Sequence, residues 1–157
     1  MKASTQMAKS LKTHSEWAVL MADDDEHAHV LIQRAFRKAN ASPLLKIVSN
    51  GEEAIHYLEG KGIYSDRNLH PLPSLVLLDL NMPKKTGFEV LQWMRGHPDF
   101  KRMVVVIFTT SDEPKDINKS YDLGANSYLV KTPLYPEFTE LVKSLEVYWL
   151  KHNRRAF

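Results

Sequence analysis

Four short apolar runs in this 157-residue chain each stop at a polar group suited to handling charge. Residues 17–22 lead into Asp23-Asp24, Leu75–Leu78 into Asp79, residues 104–108 into Thr109-Thr110, and Ser127–Val130 into Lys131. Continuous apolar runs of this length suit strands buried on both faces of a parallel sheet. A fifth run, residues 44–49, completes the set of expected strands. In open α/β sheets ligands bind just beyond the carboxyl ends of the strands. If the runs are neighbouring parallel strands, three carboxylates, a hydroxyl and an ammonium converge there.

The segments between the runs carry helical patterns. Ala28, Leu31, Ile32, Ala35, Phe36 and Ala39 repeat at helical spacing after the acidic cluster Asp23-Asp24-Asp25-Glu26, which favours a helix N-terminus. Asn50-Gly51 turns into a helix over 52–58, and 60–73 is expected as a long surface loop. Phe88, Leu91, Trp93, Met94 and Arg95 predict a third helix, halted at His97-Pro98. A short fourth helix runs from Pro114 to Leu123 with Gly124 as its cap. Pro136 opens the last, whose expected stripe is Phe138, Leu141, Val142, Leu145 and Trp149. Alternation of strand and helix five times implies a doubly wound parallel sheet with helices on both faces.

Composition narrows the function classes. The 21 Lys and Arg against 19 Asp and Glu leave +2, so no overall field points to nucleic acid. The absence of Cys excludes thiolate metal sites and disulfides and suits a reducing, cytoplasmic setting. No apolar stretch approaches a bilayer span, and residues 1–14 lack a signal-peptide core. The expected organisation is an arm over 1–14, one domain over 15–152 and a tail over 153–157.

Asp23, Asp24 and Asp79 packed together cannot all stay ionised without a compensating cation. Mg²⁺ is the natural choice because it takes oxygen ligands and works with phosphates, and the backbone carbonyl of Asn81 is a further candidate ligand. Lys131 adds a second positive charge. A carboxylate can also attack phosphorus and form an aspartyl phosphate. Asp79, standing alone, is the candidate nucleophile while the adjacent pair holds the metal; Thr109 and Lys131 are candidates to contact phosphoryl oxygens. No Gly-rich phosphate loop is present to suggest a nucleotide donor.

The chain resembles the receiver domains of two-component response regulators. The resemblance is carried by the acidic pair after the first strand, by Asp79 followed by Leu-Asn-Met-Pro-x-x-x-Gly, by Thr109 and by Gly-Ala-x-x-Tyr-Leu-Val-Lys ending at Lys131. It implies a flavodoxin-like fold with strand order 2-1-3-4-5, Mg²⁺ as cofactor, and phosphoryl transfer to Asp79 from a partner histidine kinase. It also implies that Tyr128 is the switch aromatic, moving as Thr109 and Lys131 are drawn towards the new charge. The long loop over 60–73, the segment 109–113 and the Tyr148-Trp149-Leu150 end look like the single-domain regulators that work with bacterial phytochromes, which lack an output domain. Thr132 stands between Lys131 and Pro133, whereas most receivers place Pro directly after that Lys, often with a cis bond.

Two other readings compete. A haloacid-dehalogenase-type phosphohydrolase also uses an Asp nucleophile with Mg²⁺, but it wants a second Asp where Asn81 stands. A phosphate-independent pseudo-receiver would not need the complete set Asp23, Asp24, Asp79, Thr109 and Lys131. His27 and His29 are expected on a solvated face, since residues two apart on a helix diverge. The consecutive apolar residues Val147, Tyr148, Trp149 and Leu150 cannot all face one core, which predicts a homodimer through the last helix by way of Val147, Tyr148 and Leu150.

Overall fold

The computed structural model describes residues 17–38 and 43–156. The arm expected over 1–14 therefore lies outside the described residues. The elements are β1 (Ala18–Ala22), α1 (Glu26–Lys38), β2 (Leu44–Val48), α2 (Gly51–Glu59), β3 (Leu75–Leu78), α3 (Gly87–Gly96), β4 (Val104–Thr109), α4 (Pro114–Asp122), β5 (Ser127–Val130) and α5 (Tyr135–Leu145). All five strands are parallel, in the order β2-β1-β3-β4-β5. The flavodoxin-like expectation therefore holds.

Strand alternation divides the core into two layers. Leu20, Ala22, Val76, Leu78, Val105 and Ile107 face Leu58 of α2 and Val90, Leu91 and Met94 of α3. Val19, Met21, Leu75, Leu77, Val106 and Phe108 face Ile32 and Phe36 of α1 and Phe138, Val142 and Leu145 of α5. Both faces of β1, β3 and β4 are thus covered, which is why their sequences are apolar without alternation. β5 departs from the expectation of full burial. It is an edge strand, and all four of its residues are only half-buried.

Helix boundaries differ from expectation where side chains cap them. α1 starts at Glu26, because the Asp25 carboxylate accepts the N–H of His27 and its carbonyl that of His29. α3 opens with a reciprocal capping box between Thr86 and Glu89. At the end of α4 the cap is Leu123, and Gly124 is the residue after it, at φ +100°. The N–H groups of Gly124 and Ala125 return to the carbonyls of Tyr121 and Ser120, a Schellman closure that needs the left-handed backbone glycine supplies.

The expected stripe of the last helix is corrected. Past Leu145 the helix widens into a π-helix over Glu146–His152, in which residues five apart align. Leu150, five beyond Leu145, is consequently buried in the α1/α5 layer. Leu141 and Trp149 are half-buried at its margin. Leu150 is thus not available to a partner surface, whereas Val147 and Tyr148 remain exposed. The expected surface loop over 60–73 is well anchored: Arg67 donates to the carbonyls of Tyr57, Leu58 and His70, and the Tyr57 hydroxyl donates to that of Pro71. No cis peptide bond occurs among the described residues, so Lys131–Thr132 is trans.

Candidate functional site

Each site residue is held by the sheet's own ladder. The N–H of Asp23, just past β1, donates to the carbonyl of Val48 at 3.0 Å, and that of Asp79, just past β3, to Ala22 at 3.0 Å. The N–H of Lys131, just past β5, donates to the Thr109 carbonyl at 2.7 Å. Strand pairing alone therefore brings Asp23, Asp79, Thr109 and Lys131 to one edge. It is the carboxyl edge, where β1 and β3 flank the point at which the strand order reverses.

There Lys131 Nζ lies 2.5 Å from Asp23 Oδ2 and 3.7 Å from Asp79 Oδ2, with the lysine side chain only 7% exposed. Asp23 and Asp79 are buried and Asp24 is exposed. One carboxylate oxygen from each of the three Asp residues lies within 4.8 Å of the others. One ammonium against three carboxylates leaves the cluster anionic, and an all-oxygen donor set of this charge fits a hard divalent cation. Burial pushes the Asp79 carboxyl above the usual carboxylate range; Lys131 pulls it down and Asp23 adds a smaller upward push. Thr109 Oγ1 is buried and turned towards Asp79, whose carboxyl it helps pull down, without a hydrogen bond of good geometry. A buried hydroxyl held this loosely beside the expected nucleophile suits an oxygen arriving with a substrate.

The surroundings add groups that sequence reasoning missed. Gly87, at the start of α3, lies against the backbone of Asp79: a Cβ there would stand 2.1 Å from the Asp79 carbonyl oxygen. The only sequence signal was a glycine at a set distance after Asp79. His27 is exposed as expected, but His29 is not on a solvated face; it is half-buried with Nε2 2.5 Å from the Asp23 carbonyl oxygen. Asn81 is exposed in the loop between β3 and α3. Tyr128 is half-buried on β5 and its hydroxyl donates to the Ser111 carbonyl at 2.8 Å, while Ser111 Oγ donates to Asp116 at 2.6 Å. The expected switch aromatic is thereby hydrogen-bonded to the loop that follows Thr109.

The family model described as "Response regulator receiver domain" matches residues 19–144. Response regulator Rcp1 of Synechocystis sp. is 35% identical over 133 residues, covering 85% of this chain and 88% of the relative. The phosphorylated cyanobacterial phytochrome response regulator RcpA superposes with a TM-score of 0.84 at 34% identity, over 91% of this chain and 100% of that one. The Mn²⁺-bound form of Rcp1 gives a TM-score of 0.81 at 33% identity, over 90% and 99% of the two chains.

Proposed function

The chain belongs to the response regulator receiver domain family, whose place is in two-component signalling, and on that premise we propose that Asp79 is its phosphoacceptor. The observation that carries this reading is a buried carboxylate 3.7 Å from Lys131 with the buried hydroxyl of Thr109 turned towards it. In the transfer, Asp79 Oδ attacks phosphorus, the N–P bond of a phosphohistidine on the kinase breaks, and the imidazole leaves with the bonding pair. Lys131 then pairs with one phosphoryl oxygen and Thr109 donates to another.

Asp23, Asp24 and Asp79, with the Asn81 carbonyl, would hold Mg²⁺, which when bound neutralises charge on the incoming phosphoryl group. The added charge draws Thr109 and Lys131 towards Asp79. Tyr128 exchanges its bond to Ser111 for the space they leave, and the surface of α4, β5 and α5 changes with it. The module stores a signal and releases it slowly; it does not turn over a substrate pool.

The similarity to regulators named for phytochrome signalling supports a phytochrome-type histidine kinase as the partner, acting in the cytoplasm. No helix among the described residues is long and apolar enough to cross a membrane. The exposed Val147 and Tyr148 support a homodimer through the end of α5. Light scattering against concentration checks it, with Tyr148→Ala expected to shift the protein to monomer.

Incubation with acetyl phosphate and Mg²⁺, followed by intact-mass measurement, tests the central reading. A stable gain of one phosphoryl group is expected, absent in Asp79→Asn. Repeated turnover of phosphomonoesters would mean a hydrolase, and no labelling would mean a phosphate-independent module.

A further inference from the structure

We infer that His29 is a positioning residue for the acidic pair Asp23-Asp24, setting the affinity of the metal site; the inference rests on the phosphoacceptor site proposed above.

Asp23 has every polar atom engaged. Its N–H donates to Val48, Oδ1 accepts from the N–H of Asp25 at 2.9 Å, Oδ2 faces Lys131 Nζ, and its carbonyl oxygen lies 2.5 Å from His29 Nε2. The last contact exists because of where α1 begins. With Glu26 as its first residue, the helix has no backbone N–H for the Asp23 carbonyl: those of His27 and His29 are taken by the Asp25 carboxylate and carbonyl. The ring of His29, from the first full turn of α1, reaches back and supplies the missing donor through Nε2.

Its effect falls on Asp24. The Asp23 carbonyl and the Asp24 N–H belong to one planar peptide unit, so orienting the first sets the direction in which Asp24 leaves β1. Asp24 is exposed and has no side-chain hydrogen bond among the described residues. Its aim towards the position shared with Asp23 and Asp79 is therefore decided by the backbone that His29 holds. Groups that orient metal ligands from behind are worth about ten- to a hundredfold in affinity.

The test uses Mn²⁺, counted by the electron paramagnetic resonance of the free ion, on the full chain at fixed pH, with Mg²⁺ added as competitor. His29→Ala removes the donor and is expected to weaken Mn²⁺ binding about tenfold. His29→Gln places an amide nitrogen at similar reach and is expected to restore most of that loss. Urea unfolding in chelator accompanies each variant, and midpoints that stay together while affinities separate support positioning. Equal affinity of His29→Ala and wild type overturns the inference while leaving the metal site intact. Failure of His29→Gln to rescue, or a loss of affinity that tracks a falling unfolding midpoint, also overturns it. No Mn²⁺ binding by wild type overturns the metal site and this inference together.

Discussion

Replacing Lys131 with Met keeps the aliphatic stem and removes the only cation seen within the carboxylate cluster among the described residues. At an effective dielectric of about 20, a 3.7 Å pair such as Lys131–Asp79 is worth about 4–5 kcal/mol of attraction. The repulsion between Asp23 and Asp79, with ligand oxygens within 4.8 Å, is about 3–4 kcal/mol on the same scale and becomes unopposed. Relief of the ammonium's own desolvation offsets part of this, which leaves a net destabilisation of about 3 kcal/mol for stranding buried charge. For a chain of this size that is a fall in Tm of roughly 6–12 °C in chelator. On the proposed reading Mg²⁺ would occupy the same anionic cluster, so saturating Mg²⁺ should raise the Tm of Lys131→Met more than that of wild type. Calorimetry of both proteins with chelator and with Mg²⁺ measures the four values needed. Equal Tm values in chelator, or equal gains from Mg²⁺, would refute the view that Lys131 and the metal share one electrostatic task.

The remaining predictions probe the backbone, the titration and the scaffold. Gly87→Ala sets a methyl 2.1 Å from the Asp79 carbonyl oxygen, so it should cost about 3 kcal/mol in urea unfolding and slow acetyl phosphate labelling of the folded fraction. Asp79→Asn should stabilise the metal-free protein at neutral pH. Because burial raises the folded-state pKa of Asp79, wild-type stability is lost as pH rises through that value, and the variant escapes this loss. The gap should close as pH falls towards about 4, and a variant less stable than wild type at neutral pH would contradict the sign. Arg95 donates to the carbonyls of Gly124, Lys101 and Met103 and to Asn126 Oδ1, tying α3 to the loop before β4 and to the loop before β5. Arg95→Met should therefore cost about 2–4 kcal/mol while the folded protein still labels at the wild-type rate.

Much of the architecture was legible because burial on two faces leaves a signature that single residues cannot hide. β1, β3 and β4 are apolar at every position save a terminal Thr109, and chain order then implies parallel pairing. The ends of α1 and α5 were less legible. The start of α1 depends on Asp25, rather than Asp23 or Asp24, accepting the N–H of His27, a choice among adjacent carboxylates that composition does not make. Ordinary α-helical spacing predicts a stripe for α5 that ends on Trp149, whereas the widened turn at Glu146–His152 brings Leu150 inward.

The available chemistry is written in chain order: carboxylates, a hydroxyl and an ammonium at the ends of apolar runs, in an order that matches the receiver family. It is legible there because strand-end position is a local property. How those groups meet is set by packing and register. The 2.5 Å approach of Lys131 to Asp23, the burial of the Thr109 hydroxyl beside Asp79, the closeness of Gly87 to the Asp79 backbone and the contact of His29 with Asp23 all arise between segments far apart in the chain or across a helix cap. Such contacts depend on distances set by sheet register and packing, and no local pattern encodes a distance.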